Sequence, residues 1–266
     1  MKKLTLGVVT CFFILVLSSC SKDDPSINIF AIEDDIALGQ QVSDEIAANP
    51  QEYPILDPVR YTSAYDHLYR IRNTILASGK VKYATKFQWN CKIIQNDTMI
   101  NAFSLPGGDM YFYTGIIKFL DNEAQFAGVM AHEMAHADRR HSTDQLTKVY
   151  GLEILLGVLL GNNPNVAEQI AAELALGLGT LAFSRSQEYE ADEYAVKFLY
   201  ATEYDAASLG DFFKKLEGET HPPTFLSTHP SPEDRLDKIN EHFLSLGGVH
   251  GGTFAERYQE FKNALP

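Results

Sequence analysis

Two histidines four residues apart, His132 and His136, bracket Glu133 in the stretch from Asp121 to His141. Phe126, Val129 and Met130 recur at helical spacing, no proline interrupts and Asp121 can cap the start, so the stretch predicts one helix over residues 121–141. Residues four apart on a helix lie one turn above each other, and both imidazoles therefore leave one face and can hold one small ion. Imidazole nitrogen suits zinc, and three protein ligands leave a fourth position for water. Glu133 lies about 100° round the helix from His132, outside that ligand set. It can instead take a proton from the water, whose pKa the metal draws towards roughly 7. The chemistry expected is attack of water on a peptide carbonyl with one zinc ion per chain. A helix whose His and Glu are plain surface polarity would carry the same five residues, so the companions decide.

The third ligand must come from elsewhere. An HExxHxxGxxH pattern requires Gly at 139 and His at 142, where the chain has Arg139 and Ser142. His141 is one place off and reads as polarity at a helix end. A thermolysin-like arrangement expects a Glu roughly 20 residues on in a polar helix. Glu153 comes too early, in an apolar one. Residues 186–196 begin another helix in which Glu188 and Asp192 share a face. Glu188 can complete the set with carboxylate oxygen, and Asp192 can accept the free ring N–H of a ligating histidine; Glu190 points elsewhere. Farther on, residues 228–235 read as a helix start, with Pro232 in the first turn and Ser231 as cap. His229, just outside, can reach a substrate oxyanion or coordinate metal, and Arg235 can orient a carboxylate. Spacing alone makes both of them surface residues.

The elements that must position these groups follow from periodicity. Residues 31–48 predict a helix with Ile32, Ile36, Leu38, Val42 and Ile46 on a stripe, broken by Pro50, Pro54 and Pro58. A second helix over about 59–78 carries Tyr61, Tyr65, Leu68, Ile71 and Ile75 and ends at Gly79. Between 81 and 117 the pattern turns to strands at 86–94, 100–105 and 110–114, with turn chemistry at Asn96-Asp97 and at 106–109. A small, mainly antiparallel sheet before the metal helix follows. Residues 101–108 are either an edge that accepts an extended peptide as an added strand, through Asn101, Ala102, Phe103 and Ser104, or an ordinary hairpin. After the metal helix, residues 150–161 and 166–183 form an apolar helical hairpin, read as core-packing or a lid because each arm is too short to span a bilayer. Helices follow over about 205–217 and at the C-terminus, where Phe254, Tyr258 and Phe261 face inward.

Composition bounds the rest. With 266 residues, 45% of them apolar and 21% charged, the chain is an ordinary globular one, expected as a single domain over 30–266. A net charge of -13 excludes nucleic acid as an expected partner and disfavours binding to anionic lipid through a basic patch. Lys2, Lys3, the apolar run from Leu4 to Leu17 and the small residues before Cys20 predict an export signal over 1–19. About 14 apolar residues fall short of the roughly 20 that span a membrane. Residues 20–29 then read as an acylated N-terminus and solvated tether. Cys11 leaves with the signal, so Cys91 stands alone as a packed core thiol and no intrachain disulfide is expected.

The residues around Cys20 resemble a bacterial lipobox, which implies a lipid-anchored protein facing the periplasm; residues 22–24 also resemble a signal that sends lipoproteins to the outer surface of the outer membrane. The four ordered motifs, residues 101–108, residues 132–136, residues 188–192 and residues 228–230 with Arg235, resemble the HtpX-like, CAAX-prenyl-protease-type zinc endopeptidases, in particular their soluble periplasmic lipoprotein branch, over roughly residues 30–245. The resemblance implies an α+β, gluzincin-like zincin fold, mostly helical. It makes His132, His136 and Glu188 the zinc ligands, Glu133 the base, Asp192 and Arg235 their supports, and His229 an oxyanion donor or displaceable fourth ligand. It implies an endopeptidase acting on unfolded or misassembled envelope proteins; the rival reading is a chaperone or assembly factor with latent protease activity. Relatives of this kind often carry tetratricopeptide repeats behind the protease; none is expected in these residues.

Overall fold

The computed structural model describes residues 28–159, 161–162, 165–166, 169–170, 182–217, 224–231 and 233–266. The expected export signal, Cys20, most of the tether and most of the second arm of the apolar hairpin lie outside the described residues. Among those described, no helix is long and apolar enough to cross a membrane.

Among the described residues the molecule is mostly helical around one small sheet. Helix α1 spans Ile32–Ala48 and buries Val42 and Ile46. It crosses the turn at Pro106 so closely that a Cβ on Gly39 would stand 1.8 Å from the Pro106 carbonyl oxygen, an approach only glycine permits. Helix α2, Thr62–Leu76, buries Leu68, Ile71 and Ile75, the face its periodicity predicts. Strands β1 (Cys91–Ile94), β2 (Ala102–Ser104) and β3 (Met110–Tyr113) form the sheet. Its order is β1-β3-β2, with β1 parallel to β3 and β2 antiparallel to it.

The sheet is therefore mixed, one parallel pairing and one antiparallel, where a mainly antiparallel sheet was expected. Turn residues announce where a strand ends but not which neighbour it pairs with. The Pro106-Gly107-Gly108-Asp109 turn folds β2 back on β3 as expected, whereas β1 crosses to the far side of β3. The strand expected over 86–94 shortens to Cys91–Ile94 because Trp89 takes a left-handed backbone conformation, φ 54°, which ends extended chain. A short helix that periodicity did not predict, α3 (Thr114–Phe119), follows β3 directly.

The metal helix is shorter than expected. Helix α4 runs Glu123–Arg139, capped by the Asn122 side chain, which accepts the Gln125 N–H, rather than by Asp121. Every residue from Glu123 to Asp138 is buried, so this is the central element, packed all round. It ends at Arg140, a left-handed residue with φ 64°. His141 opens a separate helix, α5 (His141–Tyr150), and α6 (Leu152–Leu159) follows after Gly151. Helix α7 (Arg185–Tyr200) packs along α4 and starts with a capping box between Ser184 and Gln187. Helices α8 (Ser208–Glu217), α9 (Phe225–Thr228), α10 (Arg235–Ser245) and α11 (Ala255–Asn263) complete the described chain. Helix α10 starts later than expected: Ser231 caps nothing, Asp234 precedes the helix without a side-chain cap, and Pro232 lies outside the described residues. Cys91 is buried and free, its thiol pushed up to about 12 by burial, in keeping with a packed core residue.

Candidate active site

Helix α4 carries His132 and His136 towards α7, which presents Glu188 and Asp192 from its own facing side, and the chain after α9 delivers His229 between them. The four side chains His132, His136, Glu188 and His229 each offer a ligand atom, all within 4.8 Å of one another, and all four are buried. His132 Nε2 lies 3.0 Å from His136 Nε2 and 3.3 Å from His229 Nδ1. Glu188 Oε1 is 3.1 Å from His229 Nδ1 and 3.4 Å from His136 Nε2, and its Oε2 is 3.5 Å from His132 Nε2. Ligands at about 2.0 Å from a tetrahedral zinc stand about 3.3 Å apart, so these edges match such a site. The donor set, three imidazoles and one carboxylate, is the chemistry zinc accepts.

The electrostatics agree with that fit. Burial, aided by the neighbouring His132, holds His136 well below the usual histidine range, so its ring keeps a bare nitrogen. Burial alone would raise the Glu188 carboxyl, but the charges of His229 and Arg235 outweigh it and hold it well below the carboxylate range. Arg235 is fully buried, with its guanidinium 3.6 Å above the Phe213 ring. Its Nε and Nη2 donate to the two oxygens of Asp192 at 2.7 and 2.9 Å, and Nη2 also lies 2.8 Å from Glu188 Oε2. Asp192 in turn reaches His132 Nδ1 at 2.9 Å, although the ring N–H is not turned squarely along that line. His229 and Arg235, surface residues on spacing alone, are thus interior groups.

Glu133 leaves α4 beside the two histidines, between the cluster and the sheet. Its Oε2 accepts the Ser104 hydroxyl at 3.2 Å, while Oε1 is buried without a hydrogen-bond partner, 3.4 Å from His229 Nε2. Of the expected peptide-binding residues, Ser104 is therefore tied directly to the carboxylate. Asn101 turns its Oδ1 onto the Ala102 N–H, Ala102 is buried, and Phe103 stacks on Tyr111 with centroids 4.7 Å apart. Strand β2 is an edge of the sheet, as the peptide-binding expectation requires.

One reading of an individual residue is corrected. His141, expected as polarity at a helix end, is buried with Nδ1 2.9 Å from His136 Nδ1. Glu190, though it does point away from the four-residue cluster, ties back to it through His141 Nε2 at 3.3 Å and is held by Arg139 at 2.7 Å. Its carboxyl is drawn down to about 2, chiefly by the His141 hydrogen bond. Phe183 was not singled out either; it stacks on His136 with centroids 4.0 Å apart and helps bury the cluster. No pattern in the apolar stretch distinguishes it from its neighbours.

Residues 66–242, which hold all of these groups except the sheet's contact with α1, match the description Peptidase family M48. The chain is 32% identical over 157 residues to the beta-barrel assembly-enhancing protease of Escherichia coli (strain K12), a match covering 54% of this chain and 32% of that protein. It is 33% identical over 158 residues to a putative beta-barrel assembly-enhancing protease of Vibrio cholerae, covering 54% and 33%. Against the mitochondrial metalloendopeptidase OMA1 of Schizosaccharomyces pombe it is 31% identical over 176 residues, covering 64% and 50%. The chain thus matches about a third of the length of the bacterial relatives.

Proposed function

The chain belongs to peptidase family M48, and from that premise we propose that it is a zinc-dependent endopeptidase that hydrolyses peptide bonds of unfolded or misassembled envelope polypeptides, held at a bacterial membrane by lipid on Cys20. The observation that carries the reading is the buried cluster of His132, His136, Glu188 and His229 with the unpartnered Glu133 oxygen beside it.

In this reading His132, His136 and Glu188 hold the ion. Zinc, when bound, supplies a Lewis acid that makes a neighbouring water acidic and polarises the scissile carbonyl. Glu133 takes the proton from the attacking water on Oε1 and later returns it to the leaving amine, while the Ser104 hydroxyl fixes its other oxygen. His229 shares the cluster at rest; when substrate enters, it gives up that place and donates a ring N–H to the carbonyl oxygen as negative charge develops there. Arg235 orients Asp192 and Glu188. Substrate lies along the free edge of β2, which binds backbone rather than sequence and selects extended or unfolded segments. Phe183 and Phe225, stacked on His136 and His229, shield those rings from water.

A second reading is favoured by that burial: with every cluster residue enclosed, the resting protein is an assembly factor or chaperone whose protease activity is latent. The bacterial relatives are named assembly-enhancing proteases, which fits this reading for them. The deciding experiment pairs metal analysis with casein hydrolysis. The endopeptidase reading expects about one zinc per chain and a Glu133→Gln variant that retains the metal but loses at least about 10²-fold in kcat. Full activity in that variant would sink the assignment, and undiminished suppression of aggregation in an inactive variant would favour the second reading.

A further inference from the structure

The two histidines of α4 are supported differently. His132 is backed by Asp192, itself gripped by Arg235. Behind His136 the nearest polar group is another imidazole, the buried His141, with the two Nδ1 atoms 2.9 Å apart. His141 Nε2 lies 3.3 Å from Glu190 Oε2, and Glu190 Oε1 accepts the Arg139 Nε–H at 2.7 Å. We propose that His141 is the positioning residue of His136, accepting its Nδ1–H and passing the link to Glu190 and Arg139, so that His136 can present only a bare Nε2 to the metal.

The polarity of each link follows from its ends. Arg139 can only donate, and an ionised Glu190 can only accept. Only one hydrogen can lie between two nitrogens 2.9 Å apart. If His136 Nε2 faces the ion as a lone pair, its hydrogen is on Nδ1, and His141 Nδ1 must be the acceptor. The remaining ring hydrogen of His141 then sits on Nε2 and points to Glu190. No link is frustrated, and reversing the Nδ1 pair would put the His136 hydrogen on the nitrogen facing the ion.

The backbone is arranged to make the contact. On an unbroken helix a residue five positions after His136 would point about 140° away from it. The left-handed conformation of Arg140 breaks the helix and swings His141 back towards the ligand face. A non-glycine residue is held there because the Arg140 guanidinium is fixed by Asp35 and the Phe30 carbonyl. The Gln187 side chain, one residue before Glu188, donates to the His141 carbonyl at 3.3 Å and ties the new helix start to α7.

This inference rests on the zinc reading of the cluster, and its test separates the two. Zinc dissociation constants of the whole chain are measured by competition with a chromophoric chelator, cobalt absorption spectra are recorded for the substituted protein, and melting is followed in the metal-free state. His141→Leu fills the space without an acceptor; His141→Asn restores an acceptor close to the Nδ1 position. Glu190→Ala removes the outer link at a partly exposed site that folding tolerates. The expected result is zinc binding weakened about 10- to 100-fold in His141→Leu, largely recovered in His141→Asn and less affected in Glu190→Ala. The cobalt spectrum shifts in the leucine variant and returns in the asparagine one. Zinc held as tightly by His141→Leu as by wild type overturns the inference, and so do equal losses in the leucine and asparagine variants that track metal-free melting. Wild-type protein that binds no zinc would instead overturn the reading of the cluster itself.

Discussion

Arg235 is the residue on which the site's charge balance turns. It lies fully buried against two carboxylates, Asp192 and Glu188, and removing it strands both in the interior. Breaking a buried pair in this way costs about 3–5 kcal/mol. Arg235→Ala is therefore expected to lower stability by about that amount, read by chemical denaturation. The loss should be larger with a chelator present than with zinc, because a bound cation takes over part of the charge on Glu188. An equal loss in both states would show that Glu188 faces no metal. Arg235→Lys should recover little, since a single ammonium nitrogen lacks the planar fork whose Nε and Nη2 reach Asp192 and Glu188 together.

At the scale of elements, the site depends on how α1 sits on the hairpin that carries β2. Gly39 meets the Pro106 carbonyl with no room for a side chain, and Pro106 begins the turn that follows Ser104. Gly39→Ala must push α1 or the turn aside, at a cost of at least about 2 kcal/mol. In a chain of this size that lowers the melting temperature by roughly 5 °C. Because the displaced element is the proposed peptide edge and not the cluster on α4 and α7, the variant should raise KM for a peptide substrate and leave zinc content unchanged. Loss of zinc with unchanged KM would argue that β2 takes no part in binding.

At the scale of the whole molecule, Glu123 ties the chain together from the start of α4. It is fully buried; Arg70 on α2 donates to both its oxygens at 2.6 and 2.7 Å, Tyr204 donates at 2.7 Å, and Arg257 on α11 lies 2.6 Å away. Burial would raise its carboxyl, but the hydrogen bonds from Arg70, Arg257 and Tyr204 outweigh that and lower it. A carboxyl lowered on folding stabilises above its unfolded value and loses the contribution as pH falls through the folded one. Glu123→Gln should cost about 3 kcal/mol at pH 7, at the low end for a buried pair because both arginine heads reach solvent. The gap in metal-free melting temperature from wild type should then narrow below about pH 4. A gap independent of pH would mean the glutamate is not charged in the fold. Cys20→Ser, in turn, should move the protein from the membrane to the soluble fraction on cell fractionation if lipid is its anchor.

By itself the sequence determined the helical class, the metal-binding residue types and the pairing of Glu188 with Asp192, because each rests on a period within one element. A side chain four positions on shares its face whatever the surroundings, and that is enough to align His132 with His136 and Glu188 with Asp192. The tertiary structure alone decided what lies between elements. The crossing of β1 to the parallel side of β3, the burial of His229 and Arg235, the hold of Ser104 on Glu133 and the return of His141 to His136 all join residues whose separation in sequence says nothing of their distance. One left-handed residue, Arg140, was enough to turn His141 from a helix end into a neighbour of the site, since a change of two backbone angles redirects everything after it and no side-chain pattern records them.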